Sequence, residues 1–155
     1  KYLKDKGLQE TSIGKEHICY CRVSSRKQKP DLDRQIEFMK NKYPNHRVIS
    51  DIGSGMNYNR SGLQEIINMG IRNQVAEVVI VYKDRLARFG FELIENILME
   101  HSSAKIKILN NDECKTQMEE LSEDILSIMN VYVAKINGLR KYNDKTFKKN
   151  KKIMA

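Results

Sequence analysis

Two hydrophobic periods alternate along this chain. Short runs of apolar and β-branched residues are separated by stretches in which apolar residues return every three or four positions. The first run, about His17 to Ser24, predicts a strand. Pro30 sits where a helix can begin, and Leu32, Ile36 and Met39 follow at helical spacing to about Tyr43, where Pro44-Asn45 breaks it. Val48 to Ile52 predicts a second strand, ended by Gly53-Ser54-Gly55. Ser61 or Gly62 opens a helix carrying Leu63, Ile66, Ile67 and Ile71. Ala76 to Tyr82 is a near-continuous apolar run, as suits a central parallel strand. A helix from about Phe91 to His101 and a strand from Lys105 to Leu109 follow.

The last predicted element is a long helix from about Gln117 to at least Lys141. Leu121, Ile125, Ile128, Tyr132 and Ile136 mark an apolar stripe, with Met129 and Val133 beside it. Such a helix is longer than a small sheet needs; packing on its own domain is the alternative. Gly138 costs it about 1 kcal/mol relative to Ala, so a bend or register change is expected there. At the other end, Lys1 to Gly7 reads as the last turns of a helix with Gly7 as its C-cap, and Leu8 to Glu16 as a polar linker.

Strands alternating with helices predict an α/β domain with a parallel sheet. Functional residues then gather beyond the carboxyl ends of the strands. Ser24, Ser54 with Arg60, and Asp84 with Arg85 all lie just past predicted strand ends.

Composition narrows the partner. The 155 residues make one domain-sized unit with a formal charge of +8, which favours an anionic partner, nucleic acid first. The excess is concentrated after Arg140, where six lysines face only Asp144, giving +5 of the total. Cys19, Cys21 and Cys114 form an odd set without a disulfide framework, so reduced intracellular thiols are expected. His17, His46 and His101 are scattered in sequence and none pairs with a cysteine at metal spacing, so no metal is expected. No apolar run is long enough to span a membrane. The chain lacks an initiator Met at position 1, as expected of a piece of something longer.

The candidate chemistry starts at Arg22-Val23-Ser24-Ser25. Strand alternation sends Arg22 and Ser24 to the same side, placing a hydroxyl beside a guanidinium that could hold a phosphate. The plainer alternative is a hydroxyl capping the next helix. Ser25 is the other candidate nucleophile, but parity points it away from Arg22. Ser54 reads as a turn residue, and Arg60 on a polar loop would ordinarily be solvated. Asp51 and Asp84 form no obvious metal cluster. Arg22, Arg60, Arg85 and Arg88 could supply positive charge instead, with Arg85 and Arg88 sharing a face on a helix start.

Three motifs stand in order: Arg22-Val23-Ser24-Ser25-x-x-Gln28, Ser54-Gly55-x-x-x-x-Arg60-x-Gly62-Leu63, and Asp84-Arg85-Leu86-x-Arg88. Together they resemble the catalytic domain of the serine recombinases, the resolvase/invertase superfamily, over roughly Ile18 to Arg140. The segments Glu123 to Ser127 and Ala134 to Arg140 look most like the transposase branch found in small insertion sequences. The resemblance implies a resolvase-like three-layer α/β domain, with a mostly parallel central sheet flanked by helices and followed by a long C-terminal helix. It divides the chain into a linker or remnant of an upstream DNA-binding domain (1–16), a catalytic domain (17–141) and a basic tail (142–155).

By that resemblance Ser24 is the nucleophile, forming a 5′-phosphoserine link and freeing a 3′-hydroxyl. Arg22, Arg60, Arg85 and Arg88 match phosphate-binding arginines. Gln28 and Gln35 match active-site glutamines, although two extra residues around Lys29-Pro30 disturb the spacing to Gln35. Asp84 matches the family acid; it would transfer a proton or orient arginines, or else serve only as a helix N-cap. Lys135, Arg140, Lys141, Lys145, Lys148 and Lys149 are the expected DNA contacts. The last helix departs from many resolvases, with Asn137-Gly138 where a Glu-Arg pair is common. The implied partners are double-stranded DNA and a second copy of the chain, dimers assembling to a tetramer, with no cofactor and no membrane. The implied location is with DNA inside the cell: cytoplasm or nucleoid, or a nucleus or viral factory for an element of eukaryotic or viral origin. Two other classes stay open: a non-catalytic DNA-binding or dimerisation module of the same fold, and a metal-dependent nuclease.

Overall fold

The structure, a computed structural model, describes residues 14–110 and 115–153, with side chains described for 14–110 and 118–140. The expected helix end at Lys1 to Gly7, most of the linker after it, and Cys114 lie outside the described residues. The chain falls into two units, residues 1–112 and 113–155, each taken by itself below.

The first unit is an α/β body. Strand β1 (Glu16–Val23) leads through a short 3-10 turn (Arg26–Gln28) into α1 (Lys29–Lys42), then β2 (Arg47–Ile52), α2 (Ser61–Ile71) and β3 (Val75–Ile80). The short α3 (Lys83–Leu86), α4 (Phe91–Ser102) and β4 (Lys105–Ile108) complete it. The four strands pair in the order β2-β1-β3-β4, all parallel.

Alternation along β1 builds two cores. Ile18 and Tyr20 face one side, with Leu63 and Ile66 of α2 and Phe91, Ile94 and Leu98 of α4. Cys19, Cys21 and Val23 face the other, with Leu32 and Met39 of α1. This is the three-layer arrangement that the resemblance implies, with β1 buried on both faces. Packed side chains rather than solvent surround both thiols. Burial, aided by the Glu77 charge, pushes Cys19 up to about 11. Burial, aided by Cys19, pushes Cys21 up to about 12.

The strand order places the site. From β1 the chain crosses to β2 on one side; from β3 it crosses to β4 on the other. The carboxyl ends of β1 and β3 therefore flank a topological switch point, where a crevice opens in doubly wound sheets. Ser24 follows β1 directly, and Asp84 to Arg88 follow β3.

The second unit is a single helix, α5 (Lys115–Ile153), of 39 residues. It extends well past Lys141 and takes in the lysine-rich stretch. The helix runs through Gly138 without interruption. Its apolar residues Ile125, Ile128, Met129, Tyr132 and Val133 are exposed, while Leu121 and Ile136 are half-buried. Among the described residues, no helix is long and apolar enough to cross a membrane.

Candidate active site

The end of β1 is fastened on both sides of the sheet. The Val23 carbonyl accepts from the Gly53 N–H beyond β2 at 2.9 Å. The Arg22 carbonyl accepts from Arg85 Nη1 at 2.8 Å. The next residue, Ser24, is thus held by a backbone tied to both neighbouring strand ends. Its hydroxyl donates to Gln28 Oε1 at 2.8 Å, and the same oxygen accepts from the Ser24 N–H at 3.0 Å. A glutamine cannot take up the hydroxyl's proton at neutral pH, but it fixes the direction of the O–H bond. The alternative role for these hydroxyls, side-chain capping of the following turn, is not what the geometry shows. Ser25 is the N-cap residue of that turn, without a side-chain cap bond.

Arg22 does not lie open beside Ser24. It is fully buried, and its guanidinium donates to three main-chain carbonyls: Arg85 at 3.1 Å, Gly53 at 3.0 Å and Asp84 at 2.8 Å. Arg22 therefore ties the loops after β2 and β3 to β1. Gly55 allows this closeness, since a Cβ there would lie 3.1 Å from Arg22 Nη2 and 3.3 Å from Arg88 N. The Arg88 N–H in turn donates to the Gly55 carbonyl at 2.9 Å.

Arg60 is not the solvated arginine that its polar loop suggests. It is buried at 4% exposure and donates to the carbonyls of Asn57 (2.6 Å) and Leu86 (2.6 Å), and to Tyr20 Oη (2.7 Å). Tyr20 Oη donates onward to Asp51 Oδ2 at 2.7 Å. Asp51 also accepts from the N–H groups of Gly62 (2.8 Å) and Leu63 (2.9 Å), capping α2 from the neighbouring strand. Gly62 is required by this approach: a Cβ would come within 2.7 Å of Ile49 and 2.8 Å of Asp51 Oδ2. Burial drives the Tyr20 phenol far above its ordinary pKa, with the Asp51 hydrogen bond adding to the rise and the Arg60 charge opposing it.

Asp84 is not an N-cap. Tyr82 holds that position, and Asp84 lies inside α3. Its carboxylate accepts from Arg85 Nη2 at 3.2 Å and from Arg88 Nη1 at 3.1 Å. All three side chains are largely shielded. Arg88 falls beyond the end of α3, after the extended Ala87, so the two arginines meet through Asp84 rather than along one helix face. Gln35, on α1, presents a buried side-chain oxygen without a hydrogen-bond partner among the described residues. Ser54 accepts from the Met56 N–H at 3.2 Å, as a turn residue does.

The structure thus brings Arg22, Arg60, Asp84, Arg85 and Arg88 into one bonded cluster that holds the backbone before Ser24. Lys135 and Arg140 are exposed on α5. The side chains of Lys141, Lys145, Lys148 and Lys149 lie outside the described residues. Sequence reading missed the structural work of Tyr20 and Asp51. A tyrosine and an aspartate inside two predicted strands were the available signal.

Comparison with known proteins identifies the family and the fold. A family model described as "Resolvase, N terminal domain" matches residues 17–152. A resolvase-named protein of Acanthamoeba polyphaga mimivirus is 53% identical over 144 residues, 93% of this chain and 76% of its own length. A serine recombinase from Sulfolobus solfataricus superposes with a TM-score of 0.72 at 38% identity, covering 81% of this chain and 88% of the other. The C-terminal catalytic domain of ISC1926 TnpA, an IS607-like serine recombinase, gives 0.70 at 39% identity, covering 78% and 85%.

Proposed function

The chain belongs to the resolvase family of serine recombinases, and from that premise we propose that it cuts and rejoins DNA through a covalent 5′-phosphoserine intermediate on Ser24. The observation that carries this reading is the place of the Ser24 hydroxyl: Gln28 holds it at the end of β1, and the arginine cluster is bonded to the same strand end. Guanidinium groups suit an anion, and a phosphodiester passing through a crowded phosphorane needs such charge. The Ser24 hydroxyl releases its proton as its oxygen attacks phosphorus, the bond from phosphorus to the 3′-oxygen breaks, and that oxygen takes up a proton, so none is gained or lost overall. The arginines then stabilise the phosphoryl oxygens. Because the bond energy is kept in the serine ester, attack by a 3′-hydroxyl on that ester reseals DNA without ATP.

Asp84 acts as the positioning residue for Arg85 and Arg88, since its oxygens already accept from both. Arg22 and Arg60 act from a different level: their donors are engaged with carbonyls of the loops after β2 and β3. They hold the crevice in shape. The exposed apolar residues of α5 suit a helix that a second copy covers, giving a dimer and, at synapsis, a tetramer. Lysines at 141, 145, 148 and 149, on a helix that runs to Ile153, are the phosphate contacts of that reading.

Trapping tests the proposal: the chain is incubated with nicked duplex DNA in EDTA, denatured and resolved by electrophoresis. A protein–DNA adduct sensitive to protease, absent from Ser24→Ala, is expected. Cleavage that needs added magnesium and leaves no adduct would instead identify a metal-dependent nuclease.

A further inference from the structure

Three residues that are far apart in sequence meet at the opposite end of the sheet from Ser24. His17 lies at the start of β1, His46 just before β2, and Glu77 in β3. The parallel register explains the meeting. His17 pairs with Glu77. Ile18 pairs with Arg47, so His46 falls level with His17 on the other flank. One row across three strands therefore reads His46, His17, Glu77. The row lies about 23 Å from Ser24, seven residues along the strand.

We propose that His17, His46 and Glu77 form a binding site for a divalent transition metal, zinc the best fit. His46 Nε2 lies 3.2 Å from Glu77 Oε2, and His17 Nδ1 lies 3.6 Å from the same oxygen. All three ligand atoms lie within 4.8 Å of one another. Two atoms bound to a tetrahedral zinc at about 2.0–2.1 Å stand about 3.4 Å apart, so two of the three separations already match. Two imidazoles and one carboxylate are a donor set of the right softness for zinc, and a fourth position stays open to water.

The surroundings favour an ordered site over a chance surface grouping. His46 is 16% exposed and Glu77 27%, with His17 at the rim at 53%. The His46 ring packs on Tyr43, with centroids 4.8 Å apart, and on His17 at 5.1 Å. Metal binding needs the imidazoles neutral, so uptake should weaken as pH falls. Two cations oppose binding: Lys105, level with Glu77 on β4, and Lys107, which sits over the Tyr43 ring. Their charge weakens a dication more than it alters the choice among dications.

A bound ion would fasten the α1–β2 connection to β1 and β3, bracing the sheet at the end away from the crevice. The untagged full chain is titrated with zinc by calorimetry, and cobalt(II) is added separately to read its visible ligand-field absorption. One equivalent of zinc per chain and a higher melting temperature are expected. His17→Ala and Glu77→Gln should each weaken binding roughly tenfold or more, and His17→Ala/His46→Ala should abolish it. Cys114→Ser should change nothing. Circular dichroism checks that each variant folds. Should the double variant fail to fold, His17→Ala decides alone, since His17 is half exposed. No uptake by the wild-type chain, or equal uptake by the histidine variants, overturns the proposal. No DNA enters this assay, so its outcome is separate from that of the recombinase reading.

Discussion

Replacing Tyr20 by Phe removes one oxygen atom from the centre of the network that holds Arg60. That oxygen donates to Asp51 Oδ2 and accepts from Arg60 Nη1, both at 2.7 Å. Hydrogen bonds to charged groups contribute about 1.5–3 kcal/mol each. Neither partner is wholly stranded, however. Asp51 keeps the Gly62 and Leu63 N–H groups, and Arg60 Nη1 keeps a longer bond to the Arg85 carbonyl at 3.3 Å. The phenyl ring also fills the same space. The expected loss is therefore at the lower end, about 2–4 kcal/mol for the pair. With a urea m-value of about 2 kcal/mol/M, the unfolding midpoint falls by about 1–2 M with unchanged slope. Because burial keeps the phenol neutral in the fold, wild-type stability should also fall as pH rises above about 10, where only the unfolded chain ionises. Tyr20→Phe should also slow strand cleavage at least tenfold while leaving DNA binding intact. A Tyr20→Phe protein as stable and as active as wild type would refute the view that this network holds Arg60 in place.

Three further outcomes follow from the same packing. Cys19 and Cys21, with thiols pushed up to about 11 and about 12, should stay unreactive toward Ellman's reagent in the native protein at pH 8. All three cysteines should react in denaturant, and rapid native labelling of Cys19 or Cys21 would show that the α1 side of the core is open. Gln35→Met removes a buried oxygen that has no partner among the described residues, so stability should rise by about 1 kcal/mol while DNA cleavage falls. A variant that is both less stable and fully active would contradict that assignment. Truncation after Arg140 should weaken binding to all DNA sequences alike and flatten the salt dependence, by a slope of about 0.9 for each phosphate no longer neutralised. Identical slopes for full-length and truncated chains would show that these lysines do not touch DNA.

Much of the body was legible because periodicity reports burial directly. The Ser61 helix start and the Phe91 helix fall where the pattern placed them, and strand bounds shift by a residue or two. Ala76 to Tyr82 overran, since Val81 and Tyr82 are apolar but lie beyond the last paired residue of β3. How far the helix runs past Lys141 was not legible, for the opposite reason. Lysine-rich sequence carries no apolar period, yet lysine favours helix, and α5 continues to Ile153. The location of the site at strand ends was legible; its internal wiring was not. Arginines in polar loops read as solvated, and only the folded backbone shows that Arg22 and Arg60 find carbonyls from other loops. Likewise nothing local joins His17, His46 and Glu77, because strand register alone brings them level.

The central claim is that Ser24 is the nucleophile of this arginine cluster. Mass spectrometry of the peptide containing residues 22–28, after trapping on nicked DNA in EDTA and nuclease digestion, tests it most directly. The account predicts a nucleotide joined through its 5′-phosphate to Ser24, and no adduct from Ser24→Ala. A modified Ser25, or an adduct that persists in Ser24→Ala, would contradict it.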